Sequence, residues 1–189
     1  MPTSVYAKVG YGFRRDIAVE DEVNAMVDFG NDATGILSTC THDFVGTDRL
    51  EILCDGGKVV VDGSRQVTVS RLTKPEQEIS DSMDPDAVRR LFTGQLDQGE
   101  YVHTDTQEYG SVWGAQHAEV LRNFAAAVRG EEDLLAPGSE GIHGVRLANA
   151  IHLSSWLGQE VSITDFDEDR YLAELNRRIE IEGRFPTRS

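Results

Sequence analysis

The sequence contains little lysine, little cysteine and no long apolar run, and each of these absences narrows what the chain can do. Only three of its 189 residues are lysine, and 33 acidic residues against 18 basic ones give a net charge of −15. Such a surface repels the phosphates of nucleic acids and of anionic membranes. No apolar segment approaches the roughly 20 residues of a transmembrane helix, and no signal peptide follows Met1. We therefore expect a cytoplasmic protein that binds neither nucleic acid nor membrane.

The two cysteines, Cys40 and Cys54, lie in separate apolar, strand-like runs without a C-x-x-C spacing. A cytosolic protein would keep both reduced, although a structural disulfide is the alternative. His143 and His152 are nine residues apart on one predicted helix, so they do not share a face as a helical metal pair would. We expect both to be structural, and we predict no metal site.

The first half of the chain alternates apolar and polar residues in short runs separated by turn residues. This period of two predicts antiparallel strands, and the two runs around Gly30-Asn31-Asp32 predict a hairpin over 22–42. Residues 74–85 are polar and acidic without a period, so we expect irregular chain there. The strand segments are 3–13, 22–29, 33–42, 48–54, 58–62 and 66–72, with 99–109 a further candidate.

The second half of the chain has the period of helices. One helix is predicted from Ser111 to Gly130, and another, apolar on most of its circumference and therefore buried on most sides, from a Ser139 N-cap to Gly158. A last helix is predicted after Asp165, which forms a capping box with Glu168. The predicted class is α+β, with a large open antiparallel β-sheet and helices packed on one face. Residues 1–189 are expected to form a single domain.

Four segments, in the same order and spacing, resemble the C-terminal domain of the Gfo/Idh/MocA oxidoreductases. The matching segments are VEDEVNAMVDFGNDATG at 19–35, RLEILCDGG at 49–57, HAEVLRNFAAAVRG at 117–130 and AIHLSSWLGQEV at 150–161. The resemblance covers most of residues 5–172. It implies that an N-terminal Rossmann domain, absent from this chain, binds NAD or NADP, while the sheet domain shapes the substrate pocket and forms a homo-oligomer through its open face.

The chain lacks the motifs that carry nucleotide binding and catalysis in the family. It contains no G-x-G-x-x-G after a strand and no Glu-Lys-Pro, and the catalytic Asp and His of the family precede the segment where this chain begins. We therefore predict no catalytic residue and no cofactor in this chain alone. The full-length protein is expected to be an NAD(P)-dependent enzyme.

Five residues are candidates for substrate binding. Trp113, Gln116 and His117 lie at the start of the helix that the resemblance places beside the substrate cleft, although His117 also fits a half-buried core position. Arg14 and Arg15 can bind a substrate carboxylate or phosphate, although adjacent arginines in a loop are more often simply solvated.

Two functions therefore stand side by side. The first is the substrate-binding and oligomerisation domain of an NAD(P)-dependent oxidoreductase acting on a sugar, cyclitol or related polyol. The second is a stand-alone, non-catalytic binding or scaffold protein that dimerises through its sheet.

Overall fold

The computed structural model describes residues 1–110 and 114–182. These residues form eight strands, five α-helices and one short 3-10 helix, and they divide into two compact units. The first unit contains residues 1–44 and the described residues from 123 onward, and the second contains residues 45–122 apart from 111–113. Helix α3 (Ala115–Val128) has residues in both units.

The first unit is built on a four-stranded antiparallel sheet in the order β3-β2-β1-β8. Its strands are β1 (Ser4–Tyr11), β2 (Glu20–Asp28), β3 (Thr34–Cys40) and β8 (Val161–Ser162). The predicted hairpin is confirmed, and its register places Tyr6, Met26 and Ile36 in one cross-strand row. All three are more than half exposed, so one face of the sheet carries an uncovered apolar row.

Helix α4 (Gly138–Leu157) covers the other face of this sheet. Val5 and Ala7 of β1 and Ala25 of β2 point to this side because side chains alternate along a strand. They form one buried cluster with α4, β8 and the residue after β8, through Ala150, Ile151, Leu153, Val161 and Ile163.

Only the second half of α4 is buried. Ile142 and Val145 in its first half are about half exposed, at 50% and 55%, so the prediction of a helix buried on most sides is wrong there. Its end is as predicted, because Gly158 adopts the left-handed conformation (φ 65°), which a residue with a side chain adopts at a cost.

The predicted caps are displaced by two residues in two helices. Pro137, not Ser139, precedes the first turn of α4 and makes no side-chain cap. Helix α5 (Glu168–Glu182) is capped by Asp167, which accepts the Arg170 N–H at 2.8 Å, and not by Asp165. At α5, Asp165 and Asp167 offer equivalent capping groups, so the sequence alone does not select one; α4 begins without a side-chain cap, so no capping residue marks its start.

The second unit contains a second antiparallel sheet in the order β4-β5-β6-β7. Gly57 (φ 142°) fits its β4–β5 turn because a Cβ there would lie 2.0 Å from the Ser70 carbonyl oxygen. The strands are β4 (Arg49–Cys54), β5 (Gly57–Asp62), β6 (Gln66–Leu72) and β7 (Val102–Glu108).

Two short helices lie between β6 and β7. Helix α2 spans Pro85–Phe92, and Asp84 caps it by accepting the Ala87 N–H at 2.7 Å. Helix α1 (Glu76–Ser82) replaces the irregular chain predicted at 74–85. Its single buried side chain, Ile79, leaves no apolar period to detect, and side-chain pairs one turn apart support it instead.

The predicted α+β class with antiparallel strands and helices is confirmed, and the strands expected in one large sheet form two sheets of four among the described residues. Within residues 1–110 and 114–182, no helix has the length and apolar character needed to cross a membrane.

Candidate functional site

Polar side chains gather where β1 ends and β2 begins. The pairing of these strands shifts register between Gly10 and Tyr11, so β2 contributes one more residue than β1 at this point. The additional residue is Asp21, which is only 1% exposed. A bulge of this kind re-aims side chains at the end of a sheet.

The Asp21 carboxylate holds the β1–β2 loop in place. Its Oδ2 accepts the backbone N–H groups of Arg14 at 2.6 Å and Arg15 at 2.9 Å, and its own carbonyl accepts the Thr41 N–H at 3.0 Å. Burial favours the neutral acid, but these backbone N–H donors outweigh burial and lower the pKa of Asp21. Asp21 is therefore an anion at neutral pH and ties the loop to the end of β3.

The loop presents two exposed guanidinium groups, those of Arg14 and Arg15. The Arg14 Cζ lies 4.6 Å from the centroid of the Phe13 ring, a cation–π distance. The Arg15 Nη2 donates to the Thr41 carbonyl at 3.1 Å. Among the described residues, neither arginine is within ion-pair distance of a carboxylate.

A second polar group lies on the helix side of the same strand end. The Tyr11 hydroxyl is 2.6 Å from Nδ1 of His152 on α4, and Nε2 of His152 is 4.0 Å from a Glu20 carboxylate oxygen. Burial lowers the pKa of His152, an effect that the negative charge of Glu20 partly offsets. Burial also raises the pKa of Tyr11 to about 12. Both groups are therefore neutral at pH 7, and the tautomer of His152 sets which of the two donates the hydrogen bond.

Aromatic rings continue from this pair across the helices. The centroids of His152 and Trp156 are 5.6 Å apart, and Trp156 stacks on Tyr171 of α5, also at 5.6 Å. The Arg178 Cζ lies 5.1 Å from the centroid of the Trp156 ring, a cation–π distance. These contacts fix α4 and α5 against the end of β1, so the histidine has little freedom to turn away.

The structure places the predicted site residues in separate parts of the fold. Arg14 and Arg15 share the β1–β2 loop of the first unit. Gln116 and His117 lie on the first turn of α3, within the second unit, and both are exposed. The alternative of a half-buried core position for His117 is therefore wrong. Trp113 lies outside the described residues.

Sequence reasoning missed the residues that organise this region. Asp21 lies among other acidic residues in the sequence, and Tyr11 and His152 are 141 positions apart. Within the described ranges, no group of three or more His, Cys, Asp or Glu side chains is arranged to bind a metal ion.

Solved structures with this fold include two sugar-related dehydrogenases. The WlbA dehydrogenase of Bordetella pertussis, in complex with NADH and UDP-GlcNAcA, superimposes with a TM-score of 0.61 and 22% identity over 85% of this chain and 42% of its own. A levoglucosan dehydrogenase, in complex with NADH and levoglucosan, superimposes with a TM-score of 0.62 and 16% identity over 86% of this chain and 45% of its own. The chain thus spans less than half the length of these structures. At such identities the likeness shows the fold alone.

None of the curated proteins compared with the chain matches it. A family model does match: the C-terminal alpha/beta domain of the GFO_IDH_MocA oxidoreductase family aligns with residues 3–163. This match covers most of the chain and confirms the resemblance that the four sequence segments carry. The chain therefore belongs to the Gfo/Idh/MocA oxidoreductase family, through its C-terminal domain.

Proposed function

We propose that this chain is the substrate-binding and oligomerisation domain of an NAD(P)-dependent oxidoreductase that acts on a sugar, a cyclitol or a related polyol. The observation that carries the proposal is the family match over residues 3–163. Structures with the same fold were solved with NADH together with UDP-GlcNAcA or levoglucosan, which supports a sugar-like substrate. The free thiols of Cys40 and Cys54 support a reducing compartment such as the cytoplasm.

The nicotinamide cofactor belongs to another part of such an enzyme. The sequence has no G-x-G-x-x-G, and the connections from β6 to α1 and from β8 to α5 contain no glycine to cradle a pyrophosphate. The residues of this chain do not fit a dinucleotide, so we assign it no step of hydride transfer. Its role in the proposal is to bind and orient the substrate.

The proposed substrate-binding residues are Arg14, Arg15, Gln116, His117 and Trp113. The first four are exposed side chains with hydrogen-bond donors, as a polyhydroxylated ligand requires. The β1–β2 loop is the better defined of the two groups, since Asp21 fixes its backbone. A loop held in this way has less freedom to lose when a ligand binds.

A titration of the 15N-labelled chain with myo-inositol, levoglucosan and D-glucose tests the substrate role. We expect at least one of them to shift the amide signals of residues 12–16 in a saturable way, with unchanged signals in the β4–β5 turn as the internal control. Failure of these three sugars, and also of D-glucuronate and D-glucose 6-phosphate, to shift the loop signals would contradict the proposal.

The oligomerisation role is proposed for the uncovered face of the first sheet. Tyr6, Met26 and Ile36 form its apolar row, and Ile36 is 83% exposed. Ile36→Lys should shift the mass measured by light scattering towards that of the monomer, whereas Ile179→Lys on α5 should leave it unchanged. A monomeric unmodified chain at all concentrations would refute this role.

The same apolar row favours a second candidate function, a non-catalytic scaffold that dimerises through its sheet. Both candidates predict association. Only the first predicts that a sugar shifts the β1–β2 loop, so the sugar titration distinguishes them.

A further inference from the structure

We infer that the β1–β2 loop recognises an anionic group of the substrate, a carboxylate or a phosphate, through Arg14 and Arg15, with Asp21 as the positioning residue. The inference rests on the proposed function and narrows its substrate class from polyols in general to sugar acids or sugar phosphates.

Few positively charged side chains of this chain are available to a ligand. Acidic residues outnumber basic ones by 33 to 18, and most arginines of the described chain lie within ion-pair distance of a carboxylate. The paired ones include Arg49, Arg71, Arg89, Arg90, Arg129, Arg146 and Arg177. Arg14 and Arg15 are adjacent and have no carboxylate partner among residues 1–110 and 114–182.

The carboxylates next to Arg14 and Arg15 in sequence form their contacts with other groups. Glu20 faces His152 on the helix side, and the Asp21 carboxylate is directed at the loop backbone. Glu22 accepts the Asn24 side-chain N–H at 3.0 Å and lies 3.7 Å from His42. Asp16 follows the arginines directly but forms no hydrogen bond or ion pair with them in the described structure. The charge of the two arginines is thus available to a ligand.

Each of the two guanidinium groups contacts one neighbouring group of the protein and keeps free N–H donors. The Arg14 guanidinium lies over the Phe13 ring, with its Cζ 4.6 Å from the centroid, and this contact uses none of its N–H donors. Arg15 uses Nη2 to reach the Thr41 carbonyl and keeps its other donors. A planar guanidinium with free donors matches the two oxygens of a carboxylate or phosphate, and such charge-assisted bonds are the strong ones.

Asp21 preorganises the backbone of the β1–β2 loop. Its buried carboxylate contacts the backbone of both arginines, and its carbonyl binds the same residue, Thr41, that anchors the Arg15 side chain. These bonds join the loop, the start of β2 and the end of β3. An anion therefore meets two cations whose backbone is already fixed.

The test compares the binding of D-glucuronate, D-glucose 6-phosphate and D-glucose to the full chain by NMR titration at low salt. We expect one or both anionic ligands to bind about tenfold or more tightly than glucose, because a charge-assisted bond exceeds a neutral one. Tighter binding of D-glucuronate indicates a carboxylate site, and tighter binding of D-glucose 6-phosphate indicates a phosphate site. Arg14→Gln and Arg15→Gln should each remove most of this preference.

Arg65→Gln is the matched control, since Arg65 is an exposed arginine of the second unit and its loss changes the net charge equally. An equal effect of Arg65→Gln would overturn the inference in favour of non-specific attraction. Equal affinities for glucose and both anions would overturn it while leaving the proposed function intact. If no ligand binds at all, the proposed function fails as well.

Asp21→Asn tests the positioning role, with Asp21→Ser as a second variant should the first fold poorly. With both arginines retained and the circular dichroism spectrum unchanged, the anion preference should fall about as far as in Arg14→Gln. A folded variant that keeps the full preference would contradict the role of Asp21.

Discussion

Two serines of α4, Ser154 and Ser155, accept backbone hydrogen bonds along one edge of β1. Replacing the buried one, Ser154, tests how much these bonds stabilise the core. Strand β8 pairs only with Ser4 and Val5. Farther along the same edge, Ser154 Oγ accepts the Ala7 N–H and Ser155 Oγ accepts the Val9 N–H, both at 2.9 Å. The helix thus supplies acceptors where the sheet has no further strand among the described residues.

The two serines differ in burial, and this difference sets the expected magnitudes. Ser154 and Ala7 are 0% and 4% exposed, so Ser154→Ala leaves a buried N–H without a partner and should cost about 1–3 kcal/mol of unfolding free energy. Ser154 Oγ also donates to the Gln159 carbonyl at 2.6 Å, but Gln159 is exposed and water can replace that bond. Ser155 and Val9 are half-buried, so Ser155→Ala should cost only about 0.5–1 kcal/mol.

Urea unfolding of the two variants, followed by circular dichroism, measures both costs. A loss of about 2 kcal/mol in Ser154→Ala corresponds to a fall of roughly 4–8 °C in Tm for a chain of this size. Equal effects of the two substitutions, or a larger effect of Ser155→Ala, would refute the assignment of the buried N–H to Ser154.

The remaining predictions concern a helix end, a buried histidine and an exposed one. Gly158→Ala should destabilise the chain by about 1 kcal/mol, because Gly158 has a positive φ. Gly144→Ala inside α4 should stabilise it by about 0.5–1 kcal/mol, because the added Cβ meets open space. Thermal melts in which both variants shift Tm in the same direction would contradict this. Burial holds the pKa of His152 below its usual 6.5, so the unfolded chain binds more protons and stability should fall as pH drops below about 6.5. Unfolding between neutral and mildly acidic pH should show a smaller fall in His152→Gln, and parallel curves would be evidence against the buried neutral imidazole. Because His117 is exposed, His117→Leu should change the unfolding free energy by less than about 0.5 kcal/mol, and a large loss in urea titration would restore its core position.

Much of the fold could be predicted because it depends on local periods. Alternation identified β1 to β6 and the hairpin of the first sheet, and the apolar segment ending at Gly158 identified α4. Helix α1 was missed because one buried residue, Ile79, gives no period. The start of α5 was misplaced because Asp165 and Asp167 offer equivalent capping groups, and the start of α4 was misplaced because no side-chain cap marks it.

The candidate site was less predictable because its contacts are not local. Arg14 and Arg15 were identified from their chemistry, but the residue that fixes their loop, Asp21, looks in sequence like one of several solvated acids. Its burial results from a bulge that no alternation pattern shows. The Tyr11–His152 contact joins a strand and a helix from opposite ends of the chain, and a single sequence contains no signal for it.

We propose that this chain binds the sugar and that another domain binds the nucleotide. Calorimetric titration of the chain with NADH, NADPH and a sugar that shifts the β1–β2 loop tests it directly. The account predicts no saturable heat with either nucleotide and a saturable heat with the sugar, unchanged by added nucleotide. Micromolar binding of NADH or NADPH to this chain, or sugar binding that requires the nucleotide, would contradict it.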